Sequence, residues 1–254
     1  MKTNTHLLTR CKYRIVFCAA AVILQFIPCI SKGAGWSIDP IRIELSPSKP
    51  TAAMTFTNDT DQPTVVQIQV AAWSQEGGKD TLTPTKELLV TPPIVTIAPK
   101  SVQIIRMTLR RPADPTKELA YRINLQELPT PTAINGSAIQ VAMRVGIPVF
   151  VQSIKGDAIP KMSWKVSVTP ENMVKVALHN DGNAHVQISD FSLYSPGYDQ
   201  PIANETSSSY ILAGQSHEWL LKSSTAENVS AGHLRLKAFT DSESVDKVLV
   251  VDKP

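Results

Sequence analysis

Past residue 33 the chain has no cysteine: Cys11, Cys18 and Cys29 all lie in the first 33 residues. The remainder therefore holds no disulfide, no thiol nucleophile and no cysteine metal site. Cys29 is also a poor lipid-attachment site, because Pro28 stands before it where a small residue is expected. Excess positive charge is missing too. Residues 1–33 carry five of the 25 Lys and Arg and none of the 22 Asp and Glu, which leaves 20 basic against 22 acidic residues, a net charge of −2. That balance offers no basic surface for nucleic acid. No 20–50-residue repeat and no sustained helical period runs through the chain.

Enzyme signatures are equally scarce. There is no Gly-x-Ser-x-Gly elbow, no His-Glu-x-x-His, no phosphate-binding glycine loop and no Gly-x-Gly-x-x-Gly. His179, His185, His217 and His233 all fall in the second half. His179 and His185 flank Asp181-Gly182, which reads as a hairpin turn rather than a metal site, since no third ligand stands at a recognisable spacing. Glu44, Glu87, Glu118 and Glu127 are scattered, and spacing brings no two of them together as a catalytic pair. Asn58, Asn135, Asn204 and Asn228 open Asn-x-Ser/Thr triplets, which are glycan acceptors only in a eukaryotic secreted protein.

What is present begins with an export signal. Lys2, Arg10, Lys12 and Arg14 precede an apolar run, Ile15 to Ile30, broken only by Gln25 and Pro28. Small residues at Ser31 and Gly33 set cleavage before Ala34. The alternative is a retained anchor, but the run is short for a span of about 20 residues.

The rest alternates with period two. Expected strands are Ser37–Leu45, Ala52–Asn58, Thr64–Trp73, Ile94–Ile97, Ser101–Leu109, Tyr121–Leu128 and Ile139–Val151, with a hairpin turn at Gln75–Asp80. On Ser101–Leu109, Val102, Ile104 and Arg106 share one face, and Ile105, Met107 and Leu109 the other. A polar break, Ser153-Ile-Lys-Gly-Asp-Ala-Ile-Pro160, separates seven more short strands between Met162 and Val251. This pattern predicts an all-β chain: a signal over 1–33 and two β-sandwich domains, 34–152 and 153–254, each of ordinary domain size. The most regular strand carries Ile139, Val141, Met143, Val145 and Ile147 on one face. Alone it reads as a core strand.

Several segments, in this order, resemble the periplasmic chaperones of the chaperone–usher pilus (fimbrial) assembly pathway. They are Ile38-Asp-Pro-Ile-Arg-Ile-Glu-Leu-Ser-Pro47, Leu88-Leu-Val-Thr-Pro-Pro-Ile-Val-Thr-Ile-Ala-Pro99, Ser101-Val-Gln-Ile-Ile-Arg106 and Leu119-Ala-Tyr-Arg-Ile-Asn-Leu-Gln-Glu-Leu-Pro129, followed by the strand from Ile139. The match covers most of 36–152, and beyond 153 it rests on size and strand content. Pro148 and the absence of disulfides look most like the archaic branch, whose pili serve surface attachment and biofilms. The resemblance implies two immunoglobulin-like domains in an L or boomerang arrangement, a periplasmic location, no enzymatic activity and no cofactor or metal.

The implied partners are pilin subunits and the outer-membrane usher. The chaperone lends a strand to a subunit that lacks one, and the usher later exchanges it for the next subunit's extension. Ile139, Val141, Met143 and Val145 would be the donor side chains. At about 1.5–3 kcal/mol for each buried side chain, four contribute on the order of 6–12 kcal/mol before ordering and docking costs. An unpaired apolar edge also favours self-capping of the free chaperone. The resemblance gives Arg42 as an anchor for the subunit's C-terminal carboxylate, since a guanidinium grips a carboxylate bidentately. The family's partnering lysine, late in the donor strand, is here Pro148, with Gly146 two residues earlier. Arg122 is the candidate second anchor, on a strand expected beside the first and donor strands, and Arg144 is the runner-up. The competing reading is a secreted immunoglobulin-like structural or adhesive surface protein.

Overall fold

A computed structural model describes residues 35–129, 142–169, 173–206, 208–223 and 232–252. The expected signal over 1–33 lies outside them, as do the donor residues Ile139 and Val141.

Among the described residues the first half has ten strands: β1 (Trp36–Asp39), β2 (Ile43–Leu45), β3 (Thr51–Asn58), β4 (Thr64–Glu76), β5 (Lys79–Pro84), β6 (Leu88–Thr91), β7 (Ile94–Ile97), β8 (Ser101–Leu109), β9 (Leu119–Leu128) and β10 (Arg144–Val151). One sheet has the order β1-β3-β8-β6. The other runs β2-β10-β9-β4-β5, with β7 also paired to β4. Their inner faces meet over a single core that includes Phe56, Ile105, Met107, Ile123, Leu125 and Val149. As the alternation predicts, Ile105 and Met107 are buried while Val102 and Ile104 on the same strand are exposed.

The expected single strand Ser37–Leu45 is two. β1 pairs with β3 and β2 with β10, in different sheets. The change of sheet falls at Pro40, which has no N–H to contribute to a ladder and so interrupts a run that is apolar on both sides.

The described residues of the second half form eight more: β11 (Met162–Val168), β12 (Met173–Asn180), β13 (Val186–Tyr194), β14 (Ala203–Glu205), β15 (Ser209–Ile211), β16 (Ser216–Lys222), β17 (His233–Thr240) and β18 (Ser244–Asp252). They form one hydrogen-bonded path, β14-β13-β17-β18-β11-β12-β16, with β15 on β13. The two layers are joined by a parallel pairing of β11 with β18 at Val166 and Ser167. Their shared core includes Trp164, Leu178, Phe191, Trp219 and Leu236.

The expected hairpin across Asp181-Gly182 is not one. β12 pairs with β11 and β16, and β13 with β14, β15 and β17, so the chain crosses between layers there. Gly182 permits the crossing, because a Cβ on it would lie 2.3 Å from the Ile159 carbonyl oxygen and 2.6 Å from the Lys161 nitrogen. A second device at this corner is Asn180, fully buried. Its Nδ2 donates to the carbonyls of Ala184 and Ile211, and its Oδ1 accepts from the N–H groups of Lys161 and Gly182. Asn58 does the same work at the end of β3. It donates to the carbonyls of Gln62, Ile97 and Ala98 and accepts from the Thr60 N–H. Each amide satisfies buried backbone groups that would otherwise be left without partners.

A smaller apolar cluster, Trp73, Phe150 and Leu212 with Ala120 and Tyr210 packed against it, draws residues from both halves. Gln75 ties it down: its Nε2 donates to the Tyr210 carbonyl at 2.8 Å and its Oε1 accepts from the Leu212 N–H at 2.9 Å.

Candidate functional site

The site is built on β10. Over Val149–Val151 this strand lies between β2 and β9, but from Arg144 to Pro148 it pairs only with β9 among the described residues. The orientation of its backbone groups follows from two hydrogen bonds. The Glu127 N–H donates to the Met143 carbonyl, so Met143 turns its backbone toward β9, and the Gln152 N–H donates the other way, to Leu45 ahead of the β2 side. Alternation then turns the backbone groups of Arg144, Gly146 and Pro148 toward the open edge. Pro148 has no N–H, so it removes nothing from the β9 ladder and ends the row of edge donors.

The side chains alternate as well. Val145, Ile147, Val149 and Val151 face the core of the first half, Val145 only partly covered. Met143 is half-buried and its N–H donates to Glu127 Oε2 at 3.3 Å. Of the four donor residues expected from the sequence, Met143 and Val145 therefore stand at the start of the open edge.

The opposite face carries the arginines. Pro148 pairs with Arg122, and Val149 with Ile43, so one step back along β2 sets Arg42 beside Pro148. Ile43 and Val149 are core residues, which turns Arg42, Pro148 and Arg122 together away from that core. The two arginines thus flank Pro148 in one row across the sheet, two strand spacings or about 10 Å apart at the backbone. One detail differs from expectation: β9 lies beside β10 and β4, not beside β2. A Cβ on Gly146 would meet Asn124 Oδ1 at 3.4 Å and Arg122 Cδ and Nη1 at 3.9 Å, ordinary contact distances, so the second arginine packs over this residue. Arg144 shares this outward face and lines a cavity of about 440 Å³ with Gln69, Leu82, Pro84 and Asn124.

The two guanidinium groups are held differently. Arg122 lies 3.8 Å above the Trp73 ring, with the Tyr210 ring at 5.8 Å and Asp80 Oδ2 at 3.9 Å. Burial pushes its pKa down, and the charges of Asp80 and Tyr210 do not restore it. It is a cation held by aromatic faces and short of anionic partners. Arg42 is the reverse. Burial opposes its charge, but Nη1 donates to Asp241 Oδ2 at 2.5 Å, Nε lies 3.3 Å from Glu44 Oε1, and its pKa is raised.

Behind Arg42 stands a group the sequence did not disclose. The His185 ring stacks on Phe150 with centroids 3.4 Å apart, Nδ1 lies 2.7 Å from Glu118 Oε2, and Nε2 lies 3.7 Å from Asp241 Oδ2. Burial pushes the Glu44 carboxyl above its ordinary pKa, against the pull of Arg42. His179 goes elsewhere, to Ser216 and Asp181, so the two histidines that flank the corner do not converge. Glu87 pairs with Arg111 and with the Tyr121 hydroxyl. Among the sequon asparagines, Asn58 is fully buried and its amide is occupied in hydrogen bonds. Asn204 is exposed, and Asn135 and Asn228 lie outside the described residues.

This arrangement sits in a recognised frame. Residues 35–154 match the family of pili and flagellar-assembly chaperones, PapD N-terminal domain. Over that segment the chain is similar to the pilus-assembly chaperones. Solved structures agree along most of its length. A chain of the CsuC–CsuE chaperone–tip adhesion subunit pre-assembly complex, from archaic chaperone–usher Csu pili of Acinetobacter baumannii, is 21% identical, with a TM-score of 0.62 over 87% of this chain and 100% of that one. A chain of the Salmonella enterica SafA pilin–SafB chaperone complex is 16% identical, with a TM-score of 0.59 over 86% of this chain and 98% of that one. The E. coli chaperone DraB is 19% identical, with a TM-score of 0.55 over 86% and 96%. At these identities the likeness speaks for the fold, two immunoglobulin-like β-sandwiches. No curated protein matches the chain.

Proposed function

We propose that this chain is a periplasmic chaperone that binds, folds and caps pilin subunits by strand donation and delivers them to an outer-membrane usher. The observation that carries the reading is the open β10 edge beginning at Arg144, with Arg42 and Arg122 flanking its Pro148 end. An unpaired edge supplies backbone donors and acceptors to any extended segment, whatever its sequence. Ile139, Val141, Met143 and Val145 fill successive pockets of the subunit, and the subunit's terminal carboxylate lies across Pro148 between the two guanidinium groups. Arg122 stands in for the missing lysine. The role is binding, not catalysis.

The domain limits 34–152 and 153–254, removal of residues 1–33, membership of the archaic branch and self-capping of the free chaperone through the same edge all belong to this proposal. Likeness to the Csu pre-assembly complex supports the branch.

The test is periplasmic co-expression of the chain with the pilin encoded beside it and recovery through a tag on this chain. Wild type is compared with Arg42→Ala, Arg122→Ala and the double variant Val141→Asp, Met143→Asp. A soluble one-to-one complex that the strand variant loses and the arginine variants weaken supports the assignment. Unchanged pilin recovery with every variant sinks the donor and anchor roles. No complex at all moves the chain to the secreted surface-protein reading.

A further inference from the structure

The carboxylate anchor sits in an excess of negative charge. Around the buried His185 ring stand Glu118 from the turn before β9, Asp241 from the β17–β18 turn, Arg42 and Glu44 at β2, the Phe150 ring from β10 and the Tyr210 phenol from β15. With the imidazole neutral, three carboxylates share the cluster with one guanidinium, which pairs with Glu44 and Asp241. The Glu118 carboxylate at 2.7 Å fixes the ring proton on Nδ1, so Nε2 turns a bare lone pair toward Asp241 Oδ2 at 3.7 Å. Asp241 is tethered there, since its Oδ1 accepts the Gln187 N–H at 2.8 Å. A ligand carboxylate arriving on Arg42 would be the fourth negative group in the cluster.

We infer that a carboxylate binds Arg42 together with a proton from solvent, taken up at Nε2 of His185. The imidazolium then donates through Nδ1 to Glu118 and through Nε2 to Asp241. Asp241, shared with the imidazolium, frees part of the Arg42 guanidinium for the ligand. Subunit capture is thereby coupled to pH at this anchor, an inference that rests on the proposed carboxylate-binding role.

The probe is a synthetic peptide copying the C-terminal strand of the neighbouring pilin, made as the free acid and as the C-terminal amide. Each is titrated calorimetrically into the whole mature chain at pH 6, 7 and 8, in two buffers of different ionisation heat. The free acid is expected to bind with uptake of about 0.3–1 proton and to gain about two- to tenfold in affinity for each unit fall in pH. The amide shows neither effect. His185→Gln binds the free acid at every pH about as weakly as wild type does at pH 8, and loses the uptake. Should His185→Gln fold poorly, the His185 ring resonances of the wild-type chain report instead, and their titration midpoint rises when the free acid is bound. Free-acid binding without buffer-dependent heat, with unmoved His185 resonances, overturns the proton coupling and leaves the anchor intact. Equal binding of acid and amide, or no binding of either, removes the carboxylate-anchor reading and the coupling with it.

Discussion

Arg122→Leu is expected to separate binding from stability. Arg122 is mostly buried, yet its nearest carboxylate is 3.9 Å away and burial wins over its partners, as the lowered pKa records. Its favourable contact is the Trp73 face, worth about 0.5–2 kcal/mol. Leucine gives up that contact but also removes the desolvation penalty, and it keeps most of the apolar packing against Trp73 and Tyr210. A poorly compensated buried charge replaced by an apolar group is commonly neutral or stabilising. The net change should lie within about 1 kcal/mol, or about 2–4 °C in Tm for a chain of this size. Binding behaves otherwise. A charge-assisted bond to the subunit carboxylate is worth about 1.5–3 kcal/mol, so its loss weakens the complex about 10- to 150-fold. Thermal denaturation of the free chain and titration with pilin C-terminal peptide check the two halves. A fall in Tm of more than about 8 °C would make Arg122 a structural residue, and unchanged affinity would refute the anchor.

Gly146→Pro deletes an N–H that points to the open edge and leaves the β9 ladder whole, so pilin capture should fall while denaturation midpoints hold. Loss of the fold instead would show that Gly146 donates to β9. Asn58→Ala and Asn180→Ala each strip partners from buried and part-buried backbone groups and should cost about 2–4 kcal/mol in urea unfolding; values under about 0.5 kcal/mol would mean that the corners close without them. Tyr121→Phe tests a pH effect. Burial, then the Glu87 hydrogen bond, raises the Tyr121 pKa above its ordinary 10.0, so its contribution is complete below pH 10.0 and is lost as the pH rises past it. Wild type should lose stability across that alkaline range and the variant less, and superimposable pH–stability curves would contradict the assignment.

Much of the fold was legible in alternation. β3 and β8 alternate inside and outside, and Ile105 and Met107 against Val102 and Ile104 came out as read. Alternation does not state which sheet a strand joins. It therefore missed the break at Pro40 and the layer crossing at Gly182, where the deciding facts are a missing N–H and the approach of a backbone some 20 residues earlier, at Ile159–Lys161. The site divides the same way. Arg42 and Arg122 were reached through family motifs, and a strand register explains why they flank Pro148. His185 and Asp241 carried no local signal: Asp241 meets Arg42 across 199 residues of chain, and His185 meets Glu118 across 67. Only the packing of the second half against the first brings them together.

The stacking of Arg122 on Trp73 also makes the site visible. The chain has four tryptophans. Trp36 stacks on Phe56, and Trp164 and Trp219 stack on each other in the core of the second half. Among the described residues, Trp73 alone has a guanidinium over its ring, at 3.8 Å. An indole reports the charge nearest to it through the colour and yield of its emission. The molecule therefore carries its own optical gauge at the proposed anchor, readable without a label and separable from the other three indoles by a single Trp73→Phe control.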